Sequence, residues 1–175
     1  LGKAFDRYFL RQSAPRAVRL RTRQISVALV AHVLKHRKPS YHALSYGSGP
    51  AIDIQGALAM LSETQRSSLR VTLLDVDPDA LDHARGRIES LVASSSLDCV
   101  RTNLFRLARG DQADSLGEPD FLVCPGLFDY LDEESAVAMI SAFWQRLAAA
   151  GLLLIGYFAP HNASRAYMEW IGNWY

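Results

Sequence analysis

Five short apolar runs alternate with stretches of helical periodicity, and that alternation leaves few architectures open. The runs are YHALSY (41–46), LRVTLLD (69–75), LDCVRTN (97–103), DFLVCPG (120–126) and LLLIGYF (152–158). The second is almost continuously apolar, as expected of a strand covered on both faces. Between the strands, Ala51, Ile54, Leu58 and Leu61 recur at helical spacing, as do Leu81, Ala84, Ile88 and Leu91. Asp77 is placed to cap the second of these helices, with Pro78 at its first position. Asp132 is placed to cap EESAVAMISAFWQRLAAA (133–150), which Gly151 ends. Ahead of the first strand, GKAFDRYFLRQ (2–12) is a short helix. Pro15 opens a longer one, PRAVRLRTRQISVALVAHVLKHR (15–37), with Ile25, Leu29 and Val33 as its apolar stripe, widened by Val27, Val30 and Leu34. A last helix runs through ASRAYMEWIGNWY (163–175). Strand and helix in turn, five times over, predict an α/β fold with a doubly wound parallel sheet.

At 175 residues the chain is one domain's worth, long enough for a core without disulfides or metal. A net charge of +1 does not suit nucleic acid or an anionic membrane as partner. The longest apolar run, LAAAGLLLIGYFA (147–159), is broken by glycines and falls short of the ~20 residues that span a bilayer. Cys99 and Cys124 lie in apolar surroundings and read as reduced thiols of a cytoplasmic protein. No secretory signal is visible, and a chain that opens at Leu1 reads as a fragment. His32 and His36 sit four apart on a helix, as zinc ligands can. Val33 stands where a zincin carries Glu, so they read as a structural pair and no metal is expected.

The turn after the first strand, SYGSGPAID (45–53), carries the functional signal. Gly47 and Gly49 tolerate positive φ and let backbone approach a ligand. The N–H groups that open the next helix are partly positive. Asp75 stands at the tip of the second strand, where nucleotide-binding α/β folds place an acid on ribose hydroxyls. The turn alone reads equally well as a simple chain reversal; with Asp75 in the right order, ligand binding is the better reading. Ile52 fills the sixth position of GxGxxG, where helix and strand are expected to pack closely, and so weakens a nicotinamide dinucleotide. A G-x-G-x-[GA] turn is met by Gly47, Gly49 and Ala51.

The ordered series ALSYGSGPA, VTLLDVDPDAL, CVRTNL, DFLVCPGLFDYL and AAAGLLLIGYF resembles the motifs of class I S-adenosylmethionine-dependent methyltransferases, over residues 41 to 158. The resemblance implies a Rossmann-like sheet ordered 3-2-1-4-5, with N-terminal helices (1–40) ahead of a cofactor-binding core (41–175). It implies that Gly47, Ser48, Gly49 and Ala51 lie against the methionine part of S-adenosylmethionine, that Asp75, followed by Val76, holds the ribose, and that Asn103 and Leu104 sit near the adenine. Pro125 and Gly126, within Cys124–Phe128, would line the transfer site. The fold it resembles also carries a C-terminal antiparallel hairpin. Here that hairpin is expected to be missing, leaving strand five as an edge for Trp170, Trp174 and Tyr175 or a second copy in a homodimer to cover. The acid that usually precedes the glycines is Ser45 here, and Asp53 is the substitute; helix-dipole complementarity explains Asp53 equally well. A narrower similarity, in APRAVRLRTR, GSGPAIDI, GLFDYL and FAPHNASRAYMEWIGNWY, is to bacterial methyltransferases of 3-hydroxypalmitic acid methyl ester biosynthesis, a quorum-signal pathway. It implies a fatty-acyl carboxylate as acceptor.

Past the tips of strands four and five lie Asp129, Tyr130, His161, Asn162, Arg165 and Tyr167. Of these, Asp129, Tyr130, His161 and Arg165 are the candidate catalytic residues, His161 as a base and Arg165 as a bidentate carboxylate clamp. Each can instead cap a helix or face solvent. Arg16, Arg19, Arg21, Arg23, Lys35, Arg37 and Lys38 make the long N-terminal helix basic, which reads as a solvated face. Under the resemblance that helix lies over the cleft, and contact with an acidic substrate stays open. The rival readings are a cofactor-binding domain without transfer activity and a nicotinamide-dependent oxidoreductase.

Overall fold

A computed structural model describes residues 2–104, 116–159 and 161–172 of the chain. Two helices, α1 (Gly2–Phe9) and α2 (Ser13–His36), lead into β1 (Tyr41–Tyr46). Then follow α3 (Ile52–Met60), the one-turn α4 (Glu63–Arg66), β2 (Leu69–Asp75), α5 (Pro78–Ile88) and β3 (Leu97–Arg101). After residues outside the description come β4 (Phe121–Cys124), a 3-10 turn (Phe128–Tyr130), α6 (Glu133–Arg146), β5 (Leu152–Ile155) and α7 (Arg165–Gly172). The sheet runs β3-β2-β1-β4-β5 with every pair parallel. β1 and β2 align from Tyr41↔Leu69 to Tyr46↔Leu74. This is the expected order, and it makes the carboxyl end of β1 the point where the chain switches sides of the sheet.

Alternate strand residues feed two cores. Tyr41, Ala43, Val71, Leu73, Phe121 and Val123 pack with Ile25, Leu29 and Val33 of α2 and with the apolar stripes of α3 and α5. Leu44, Tyr46, Leu74, Leu122 and Cys124 pack on the other face with Met139 and Phe143 of α6. Both faces being covered, every β1 residue is buried, which is why YHALSY carries no polar–apolar alternation.

The caps form as expected: Asp77 accepts the Asp79 N–H (3.0 Å) and Asp132 that of Ser135 (2.7 Å). Several boundaries differ; the first helix and strands three and four are shorter than expected, at Gly2–Phe9, Leu97–Arg101 and Phe121–Cys124. α2 starts at Ser13, with Pro15 inside a first turn that needs no N–H from it. α6 stops at Arg146, because the Ala148 N–H turns to the Pro119 carbonyl (3.0 Å) and Ala150 takes φ 62° to lead into β5. β5 ends at Ile155 rather than Phe158. It pairs with β4 on one side and stays half-buried along its length. Trp170, expected to help cover that edge, is 89% exposed and covers nothing; it rides on α7 with its ring in solvent. Trp174 and Tyr175 lie outside the described residues.

His32 accepts from or donates to Tyr41 Oη at Nδ1 (2.6 Å), and its Nε2 meets the Ala150 carbonyl (3.2 Å). A carbonyl only accepts, so Nε2 carries the proton and Nδ1 takes the Tyr41 hydroxyl. His36 stacks against it with ring centroids 4.2 Å apart. Among the described residues no cluster of three or more His, Cys, Asp or Glu is arranged to hold a metal. Cys99 and Cys124 are free, and burial pushes the Cys124 thiol up to about 12. Among the described residues no helix is long and apolar enough to cross a membrane.

Candidate functional site

The turn after β1 is folded by its backbone. Gly47 and Gly49 take φ of 63° and 49°, and Ala51 follows at 48°. Ala51 is in the left-handed region with a Cβ, a strain of about 1–2 kcal/mol that the surrounding packing must hold. The N–H groups of Gly47 and Ser48 both donate to the Leu74 carbonyl (2.8 and 3.0 Å), which docks the turn on β2. At the tip of β2, Asp75 accepts the Gly49 N–H at Oδ2 (2.7 Å) and the Asp77 N–H at Oδ1 (3.0 Å). The strand-tip acid and the glycine turn therefore touch.

Together they open on a cavity of about 390 Å³ above the switch point. Gly47, Ser48, Gly49, Pro50 and Ala51 form one wall, with Ile52 and Asp53 from α3 and Asp75 from β2. Pro125, Gly126, Leu127 and Tyr130 close it after β4, and Val18, Arg21 and Thr22 of α2 lie across it. Leu104 does not line the cavity; it supports it from beneath, 3.5 Å from where a Gly47 Cβ would stand. Val76 and Asn103 are exposed beyond the strand tips and line no part of it.

Ile52 corrects one sequence argument. It was expected where helix and strand pack closely, but its side chain is 50% exposed and faces the cavity. Ala51, the N-cap of α3 at 1% exposure, takes the buried place instead. The residue at 52 therefore does not discriminate between cofactors. Ser45 is fully buried inside the sheet, its hydroxyl without a partner, and does not reach the cavity. Asp53 does. It is 5% exposed; burial pushes its carboxyl above the ordinary range, against the Ile54 N–H (2.9 Å) and the charge of Arg21.

The candidate catalytic residues are divided. The 3-10 turn sends Tyr130 to the cavity at the switch point and Asp129 to a neighbouring one of about 240 Å³. That second cavity is walled by Phe128, Leu131, Tyr157, Phe158 and Met168, with Asn162, Arg165 and Glu169 on α7 and the loop before it. Asp129 Oδ1 accepts the Phe158 N–H (2.8 Å), while Oδ2 is buried with no partner. Burial raises its pKa, against the Phe158 N–H and Arg21. Arg165 is paired with Glu169 (2.7 Å), so its guanidinium is already engaged. His161 is exposed and lines neither cavity. The side chain of Tyr167 lies outside the described residues.

The parallel 3-2-1-4-5 sheet, with a glycine turn and strand-tip acid at its switch point, defines a Rossmann-like α/β protein. Among solved structures, the fold is similar to a possible exported protein from Bordetella parapertussis, at 21% identity and TM-score 0.70, spanning 88% of this chain and 47% of that one. It is similar to magnesium protoporphyrin IX methyltransferase from Synechocystis PCC 6803 with bound SAH, at 17% identity and TM-score 0.62, over 98% of this chain and 74% of that one. An O-methyltransferase family protein from Burkholderia thailandensis matches at 21% identity and TM-score 0.56, over 79% and 38%. At these identities the likeness is one of fold, and the chain spans less than half of the first and third of these structures. No family model matches the chain, and no curated protein matches it.

Proposed function

We propose that this chain is an S-adenosylmethionine-dependent methyltransferase acting on a small molecule. The observation that carries the reading is Asp75: it lines the cavity at the switch point and is joined to the Gly47–Ala51 turn by the Gly49 N–H. The residues present suit the cofactor. Asp75 faces where ribose hydroxyls would donate, the turn offers backbone to the amino-acid part, and Asp53 offers a buried carboxylate to an ammonium. Bound there, S-adenosylmethionine would supply a methyl group already activated on a sulfonium sulfur. The protein's part is then alignment and exclusion of water.

The acceptor belongs in the second cavity, next to the first across the Phe128–Tyr130 turn. Its walls mix apolar Phe128, Leu131, Phe158 and Met168 with polar Asp129, Asn162, Arg165 and Glu169, which suits an amphipathic acceptor and leaves O-methylation of a hydroxy fatty acid as the candidate to test. Such a carboxylate is ionised at neutral pH and needs orientation rather than a base. A hydroxyl acceptor would instead give its proton to Asp129, whose raised pKa suits a proton acceptor. The free thiols support a reducing, cytoplasmic setting. Among the described residues β5 pairs with β4 alone, which supports a homodimer covering that edge, and sedimentation equilibrium reads this directly.

Calorimetry tests the cofactor. S-adenosylhomocysteine should bind and NADH should not. Asp75→Ala should weaken binding about tenfold or more, since a hydrogen bond to a charged group contributes roughly 1.5–3 kcal/mol. Unchanged affinity would remove Asp75 from the site. Methyl transfer from labelled cofactor to a panel of hydroxy fatty acids and phenols then separates an enzyme from a domain that only binds.

A further inference from the structure

The apolar stripe of α2 ends in an arginine. Ile25, Leu29 and Val33 are buried in the core at four-residue steps, and one step back along the same face stands Arg21. Arg16, Arg19 and Arg23 of the same helix are exposed. Arg21 points the other way, into the roof of the cavity at the switch point. Its place is made by two glycines at the strand tips. A Cβ on Gly126 would stand 3.3 Å from Arg21 Nη2, and one on Gly156 would stand 2.9 Å from Arg21 Cδ.

In that slot the guanidinium is close enough to Asp53 and Asp129 to pull both carboxyls back towards ionisation, yet it pairs with neither. Its Nε is buried with no hydrogen-bond partner. A guanidinium has five donors in a fixed fork matched to a carboxylate. The other ionisable liners of the cavity are Asp53, Asp75 and Tyr130. The wall thus presents one cation beside a buried acid, the charge pattern complementary to a zwitterion.

We propose that Arg21 binds the carboxylate of the cofactor's amino-acid part while Asp53 takes its ammonium, so that the cleft selects the intact amino acid and not the nucleoside alone. This rests on the cofactor reading above. The long N-terminal helix is then part of the binding site, not a cover over it.

Three ligands separate the contributions: S-adenosylhomocysteine, its decarboxylated form with the ammonium kept, and methylthioadenosine, which lacks the amino-acid part. Calorimetry on wild type should rank S-adenosylhomocysteine about tenfold or more above the decarboxylated form. Arg21→Met should lower affinity for S-adenosylhomocysteine by that factor and leave the other two unchanged. Arg21→Lys, which keeps the charge and loses the fork, should fall between, and it carries the test if the methionine variant fails to fold. Asp53→Asn should weaken both ammonium-bearing ligands and spare methylthioadenosine. An equal loss for all three ligands in the Arg21 variants would mean that Arg21 only shapes the cleft, and no loss for S-adenosylhomocysteine would remove it from the site; either result overturns the proposal. If wild type binds methylthioadenosine as tightly as S-adenosylhomocysteine, the proposal fails while the cofactor reading stands. No heat with any of the three removes both.

Discussion

His42 shows how a single buried residue sets the response of this fold to acid. It lies on β1, its Nε2 2.9 Å from the Thr72 hydroxyl, with Arg70, Asp98 and Asp120 around it. Burial, with Arg70 second, lowers its pKa to about 4. In the unfolded chain it titrates near its ordinary 6.5. Between those values the unfolded state holds the proton and the folded state does not, so stability rises with pH across that window. The contribution is complete above about pH 6.5 and is lost as pH falls towards 4, a span worth on the order of 3 kcal/mol. Asp53 and Asp129 work in the opposite sense. Their raised pKa values destabilise the fold at neutral pH, and that penalty is relieved as pH falls through them. Comparing His42→Gln with wild type isolates the histidine. Urea unfolding at pH 7, 6 and 5 should give a steeper loss of stability for wild type than for the variant. Parallel curves would show that His42 titrates alike in both states.

At the scale of elements, α2 is joined to α3 through the absence of a side chain. A Cβ on Gly56 would stand 2.7 Å from Ser26 Oγ, which donates to the Asp53 carbonyl (2.7 Å). Gly56→Ala gains up to about 1 kcal/mol of helix propensity but forces Ser26 off that carbonyl, with an overpacking penalty of roughly 1–3 kcal/mol. We expect a net loss in wild type and a neutral or stabilising effect in a Ser26→Ala background. Chemical denaturation of the four proteins in that cycle measures the coupling, and additivity would sink the account. These elements also show what could be read beforehand. The strands and caps were legible because continuous apolar runs, Asp77-Pro78 and Asp132 state them locally, whereas the order 3-2-1-4-5 came from the resemblance alone. The end of α6 was not, since it depends on a Pro119 carbonyl almost thirty residues upstream. Residues 128–130 gave no sign of a 3-10 turn that would send Asp129 and Tyr130 to different cavities. The α4 cap was legible and missed: Ser62 and Gln65 in LSETQRS form a full capping box. Arg21 was legible too, since the stripe at 25, 29 and 33 extends back to it; reading all the basic residues of that helix as one solvated face hid it.

For the whole molecule, the position of α2 decides how a ligand's binding energy is distributed. Ile25, Leu29 and Val33 share a core with β1, β2, β4, α3 and α5, and Val18, Arg21 and Thr22 of the same helix line the cavity. A ligand held by α2 on one side and by the β1 and β2 tips on the other cannot leave one part of the fold unaffected. At a hundred times its dissociation constant, a ligand that binds only the folded state stabilises it by about 2.7 kcal/mol. For a domain of this size that is a rise in Tm of roughly 5–11 °C. S-adenosylhomocysteine should therefore move a single cooperative melting transition upward. It should also slow hydrogen exchange in α2 and in β1 by the same factor at their slowest amides, because both open only with the whole domain. If α2 is protected while β1 is not, the helix detaches in a local opening of its own. The cleft then closes by docking α2, and the account of α2 and β1 as one cooperative unit fails.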